Sequence, residues 1–170
     1  GCLGEFKRRT ALSSDMGLET IVVAVGPTEE RRVNQLTETV LDVVGTRDVT
    51  VILYHAFTEA AFEDGIRRYN EDLANPPTPA EMTRRLESIS QIIDELEEEE
   101  LPYEVVSDIA DPKDGILEVV ADTEADMLFV GGRKRSTLGK ALAGNTAHQV
   151  MMNASCPVVL VRQDIADVEG

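Results

Sequence analysis

Between Met127 and Gln163 the chain carries no aspartate or glutamate, yet it holds Arg133, Lys134, Arg135, Lys140 and Arg162. That is a formal +5 inside a chain whose total is −16, so the remainder carries −21. Four of these cations lie within Gly131–Ala143, together with Ser136, Thr137 and the glycines Gly131, Gly132 and Gly139. A helix is expected to begin at Gly144-Asn145-Thr146, with its free amides turned back toward that stretch. Small residues let backbone approach an anion, cations attract it, and unpaired N–H groups at a helix start hold it. The chemistry so described is anion or phosphate binding. A crossover whose charges only balance an acidic neighbour is the plainer alternative, and the segregation of charge speaks against it.

Catalysis finds little to work with. There is no Gly-x-Ser-x-Gly elbow, no Walker sequence, no GxGxxG after the first strand, and no cysteine–histidine pair close in sequence. Ser136 and Thr137 stand beside Lys134 and Arg135 without a candidate base, so they read as ordinary loop hydroxyls. An enzyme is not expected. Cys2 and Cys156 lie at opposite ends of the chain and read as unpaired thiols of a reducing cytoplasm. His55 and His148 are the only histidines and have no metal-type partner nearby in sequence, so no structural metal is expected.

The elements that must position these residues alternate. Thr20–Val25 is a β-branched apolar run, as in a strand buried on both faces. Thr28 can cap a helix carrying Val33, Leu36, Val40 and Val44, stopped by Gly45. Val49–His55 reads as a second strand. The stretch 56–77 is weakly patterned, with a short helix expected around Glu59–Tyr69. Thr78-Pro79-Ala80-Glu81 reads as a capping box opening one amphipathic helix through Met82, Leu86, Ile89, Ile93 and Leu96. Tyr103–Ser107 is the third strand. Asp111-Pro112 starts a helix with Ile116, Leu117 and Val120 inward. Met127–Val130 is the fourth strand, Gly144–Asn153 a helix and Pro157–Val161 the fifth strand.

Strands separated by helices imply parallel neighbours joined by crossovers, hence an α/β fold: one doubly wound sheet with helices on both faces. In such sheets the ligand crevice lies beyond the carboxyl ends of the strands, at the switch point. The candidate site therefore gathers Val25 and Gly26 at the end of strand one and Ala56 after strand two. Around strand four it takes Gly131, Gly132, Arg133, Lys134, Gly144, Asn145 and Thr146.

Composition narrows the class. The chain has 170 residues, the size of one domain, and 42% are apolar. Its longest apolar runs have strand length, so no membrane partner is expected. With 32 acidic residues against 16 basic ones, of which only four are lysines, it repels nucleic-acid backbone. That balance also suits a host with a salty cytoplasm, where counter-ions screen self-repulsion. Residues 1–18, with Lys7-Arg8-Arg9, read as a weakly packed extension, the alternative being a contact arm. Residues 19–163 form the domain, and 164–170 an acidic tail.

The stretches ETIVVAV, VTVILYHA and ADMLFVGGRKRSTLGKALAGNTAHQVMMNASCPVVLVR resemble the universal stress protein family, over Glu19 to Arg162. The resemblance implies five parallel strands in the order 3-2-1-4-5 and a homodimer formed through the last strand, Pro157–Val161. It also implies a cytoplasmic stress-response module that binds ATP or AMP in a subset of members; a ligand-free dimerisation protein of the same fold is the alternative. The nucleotide-binding subset shows glycine, two residues, glycine, nine residues, then glycine followed by Ser or Thr. Here Gly131 and Gly144 fit, Lys134 replaces the middle glycine, and Asn145 replaces the hydroxyl, with Thr146 beside it. The family's aspartate at the end of strand one is Gly26 here. Phosphate affinity is expected to survive these changes, and adenine selectivity to weaken.

Overall fold

The computed structural model describes residues 18–26, 30–69, 74–132 and 145–162. Most of the 1–18 extension, Thr28, the run from Arg133 to Gly144 and the 164–170 tail lie outside the described residues.

The strands are β1 (Thr20–Ala24), β2 (Thr50–Phe57), β3 (Tyr103–Ile109), β4 (Met127–Gly132) and β5 (Val158–Arg162). They form one sheet in the order β3-β2-β1-β4-β5, and every neighbouring pair is parallel. The helices are α1 (Glu30–Val44), α2 (Glu59–Arg68), α3 (Pro79–Arg84), α4 (Glu87–Glu98), α5 (Pro112–Thr123) and α6 (Asn145–Asn153).

β1 shows why the strands are so apolar. Ile21, Val23 and Val25 pack with Val33, Leu36 and Val40 of α1 and Ile89, Ile92 and Leu96 of α4. Val22 and Ala24 face the other way, toward Ile116, Val119 and Val120 of α5 and Val150 of α6. A central strand covered on both sides has no polar face, so period-two alternation disappears. At its amino end β1 is tied to β4 by Asp126: Oδ2 accepts from the backbone N–H groups of Glu19 at 2.9 Å and Thr20 at 3.0 Å. The Asp126 N–H donates to the Thr20 carbonyl at 2.7 Å.

The expected long helix after Thr78 is two helices. The capping box is present, with Thr78 accepting from the Glu81 N–H and Glu81 reaching back to the Thr78 N–H. Helix α3 then stops, and Leu86, with ψ 133, is the extended N-cap of α4. The break follows from divided burial. Met82 packs with Phe57, Phe62 and Ile66 in a small satellite core, whereas Ile89, Ile92 and Leu96 belong to the main one. Leu86 contacts both clusters, so it is the elbow at which the chain turns from one to the other.

Three strands run two residues further than their sequence pattern indicates, β4 among them, ending at Gly132. β2 reaches Phe57 and β3 reaches Ile109, and the Ala110 N–H extends the ladder to the Phe57 carbonyl at 2.9 Å. No helix among the described residues is long and apolar enough to cross a membrane.

Candidate functional site

The chain leaves β1 toward β2 and β3, then returns to the other side of β1 with β4 and β5, so the switch point lies between β1 and β4. The register pairs Ala24 with Tyr54 on one side and with Val130 on the other. Continued by two residues, it sets Gly26 level with Ala56 and Gly132. β3 adds Asp108, paired with Ala56. All four positions fall on the α5/α6 face, because Ala24, Ala56, Tyr54 and Val106 pack in that cluster.

The row is nearly free of side chains. Gly26 is exposed, and a Cβ placed on it would meet nothing within 4 Å. Ala56 is half-buried, and Gly132 ends β4. The first turn of α6 begins at Asn145 and Thr146. Val150 anchors α6 in the core. Of the predicted residues, Val25, Gly26, Ala56, Gly131 and Gly132 lie at the ends of β1, β2 and β4, and Asn145 and Thr146 open α6. Arg133, Lys134 and Gly144 lie outside the described residues.

Val25 takes part through its backbone, since its side chain is buried in the opposite cluster. Its N–H donates to the Tyr54 carbonyl at 2.8 Å. Its carbonyl lies 2.7 Å from Nδ1 of His55, so that nitrogen carries the hydrogen and donates it. His55 is buried, edge-on to Phe57 at 4.5 Å between ring centroids. Burial pushes its pKa below the ordinary histidine value, and the bond to Val25 opposes that only in part. A neutral imidazole therefore fixes the turn that leads into Gly26. Sequence reasoning treated His55 only as a metal ligand without partners; its signal is a polar residue inside the apolar run VILYHAF.

Tyr54 and Asp108 were also missed. The Tyr54 ring is fully buried, and its hydroxyl donates to Oδ2 of Asp108 at 3.1 Å. Burial, then the Asp108 charge, raises the phenol's pKa far above its ordinary value, so it stays protonated as a donor. The hydroxyl also touches α5 at Gly115, where an added Cβ would lie only 2.0 Å from it. Asp108 escaped because strand three was expected to end at Ser107.

No group of three or more histidine, cysteine or carboxylate side chains suited to a metal is found among the described residues. Cys156 is half-buried, and desolvation, then the Asp126 charge, raises its thiol pKa, which makes it a poor nucleophile.

No curated protein matches the chain. Solved structures do, at low identity. A universal stress protein in complex with cAMP aligns with TM-score 0.59 and 15% identity, covering 86% of this chain and 98% of that one. One from Archaeoglobus fulgidus in complex with dAMP gives 0.56 and 18%, covering 86% and 99%. A family protein from Arabidopsis thaliana with AMP bound gives 0.57 and 17%, covering 88% and 94%. At such identities the likeness establishes the fold. The sequence model of the universal stress protein family matches residues 17–162, and the chain belongs to that family.

Proposed function

We propose that this protein binds a nucleotide such as ATP or AMP, or another phosphate ligand, at the β1/β4 switch point, and that it signals as a homodimer in a cytoplasmic stress response. The observation that carries the reading is the row Gly26, Ala56 and Gly132 at the carboxyl ends of β1, β2 and β4, open at Gly26. Backbone exposed without side chains admits a ligand closely, and the acid-free stretch from Met127 to Gln163 supplies the favourable field. That three similar structures hold cAMP, dAMP or AMP supports a nucleotide over a simpler anion. We assign no catalytic step and no metal to the site.

Dimerisation through β5 has its own support. Among the described residues β5 pairs with β4 alone, and Leu160 in it is 40% exposed. An apolar outer strand of this kind pairs readily with a second copy. The surface charge further points to a host with a salty cytoplasm.

The test is calorimetry with ATP, adenosine and GTP, together with a check for nucleotide that co-purifies. The protein has three tyrosines and no tryptophan, so bound purine would dominate its ultraviolet absorbance. ATP should bind better than adenosine, and GTP within about tenfold of ATP, or about 1.4 kcal/mol. Lys134→Ala should weaken binding by removing a charge-assisted contact. No binding by the wild type, with binding gained on combining Lys134→Gly, Asn145→Ser and Gly26→Asp, would make this a ligand-free dimerisation member instead.

A further inference from the structure

The geometry points to Asp108 as the acceptor that reads an amino group on the base edge of the bound purine nucleotide, a role resting on the nucleotide-site reading above. Across the α5/α6 face, the row at the carboxyl ends runs Asp108, Ala56, Gly26, Gly132 from β3 to β4. Three of these four have no side chain beyond a methyl group. Asp108 is the one functional group in the row, and it closes the end away from β4.

Its carboxylate is held in place. Tyr54 rises from β2 beneath Ala56, and its hydroxyl takes Oδ2 of Asp108 at 3.1 Å, drawing the carboxylate from the edge strand over β2. The phenol ring cannot swing, since it is 1% exposed and its oxygen rests against α5 at Gly115. The other oxygen, Oδ1, has no partner among the described residues and Asp108 is exposed, so an acceptor remains open to a ligand. Gly26 carries no side-chain acceptor, which leaves Asp108 as the carboxylate of this row.

Spacing decides which part of the ligand it meets. Parallel strands lie about 4.8 Å apart, so Asp108 stands about 10 Å from the Gly26 position and about 14 Å from β4. A phosphate seated by the acid-free end at β4 and α6 puts the sugar over β1 and the far edge of a purine over β2, next to β3. At neutral pH a carboxylate accepts and does not donate, so it selects N–H over a bare ring nitrogen. Adenine and guanine both offer amino hydrogens, in keeping with the weak discrimination expected between them.

The experiment is calorimetry of wild type, Asp108→Ala and Asp108→Asn with AMP and with purine riboside 5′-monophosphate, which lacks the amino group. Wild type should prefer AMP by about tenfold to a hundredfold, the range for a hydrogen bond to a charged group. Asp108→Ala should erase that preference while leaving affinity for the amino-free nucleotide unchanged. Asp108→Asn, which still accepts the Tyr54 bond, should lose most of it and melt as the wild type does. Equal binding of both nucleotides by the wild type, or an unaltered preference in Asp108→Ala, overturns the assignment. So does an equal loss for both nucleotides, which would place the carboxylate on the sugar. If the wild type binds neither, the nucleotide-site reading itself has failed, a result distinct from these.

Discussion

Gly115→Ala provides a direct measure of how tightly α5 sits on the sheet. The new Cβ would lie 2.0 Å from the Tyr54 hydroxyl oxygen, 3.0 Å from Cζ and 3.4 Å from Cε2. Helix propensity alone favours alanine by about 1 kcal/mol. Against it, overpacking costs about 1–3 kcal/mol, and displacing the hydroxyl from Asp108 loses a hydrogen bond of about 1 kcal/mol. The ring has no free direction, because it is fully buried beside Ile116 and Val130. The net expectation is a loss of about 2 kcal/mol, or about 4–8 °C in Tm for a chain of this size. Tyr54→Phe removes the atom in the 2.0 Å contact and leaves the one at 3.0 Å, so alanine at 115 should cost less than about 1 kcal/mol in that background. Urea unfolding of the four proteins gives the coupling directly, expected at about 1 kcal/mol or more. A Gly115→Ala protein melting at or above wild type, or strictly additive variants, would refute the close approach.

Four further outcomes follow from the described contacts. His55 is held below its ordinary pKa of about 6.5, so the unfolded chain takes up the proton first; stability is whole above about pH 6.5 and is lost as pH falls through the folded value. Stability measured against pH should therefore fall more steeply in wild type than in His55→Gln, and equal slopes would remove His55 as the cause. Glu124 caps α5 at φ 53, a left-handed conformation that glycine adopts freely, and Glu124→Gly should raise stability by about 1 kcal/mol in the same unfolding assay. Melting temperature should climb from dilute buffer to molar KCl as the −16 net charge is screened, and a flat curve would contradict the salt argument. Leu160→Lys should shift a dimer toward monomer in light scattering; Leu160 is the better choice than Val159, which packs against the core, and a monomeric wild type at micromolar concentration would end the dimer proposal.

Much of the architecture was legible because central parallel strands read as β-branched runs and the helices between them repeat at 3.6 residues. Thr20–Ala24 is of this kind, Met127–Val130 was read as a short apolar run, and strand order followed from the family resemblance. The helix after Thr78 misled because Met82, Leu86, Ile89 and Leu96 keep helical spacing across the elbow. Periodicity records which residues are buried and not against which core, and only the satellite cluster around Phe57 separates the two. That Gly26 and Ala56 stand at the carboxyl ends of their strands was legible from topology. Tyr54, Asp108 and Gly115 were not, since their relation joins two strands and a helix over separations that no local pattern spans.

The distribution of acid then acquires a direction. A chain of net −16 binding an anion must keep carboxylates away from the phosphate, and from Met127 through Gln163 it has none. At the opposite end of the same row stands Asp108, turned over the sheet by Tyr54. A nucleotide is polar in the same sense, with anionic oxygens at one end and N–H donors at the other. Reversing it over the row would set phosphate against Asp108. On the proposed reading, charge order along the row would select orientation as well as affinity, which a plain phosphate site has no need to do.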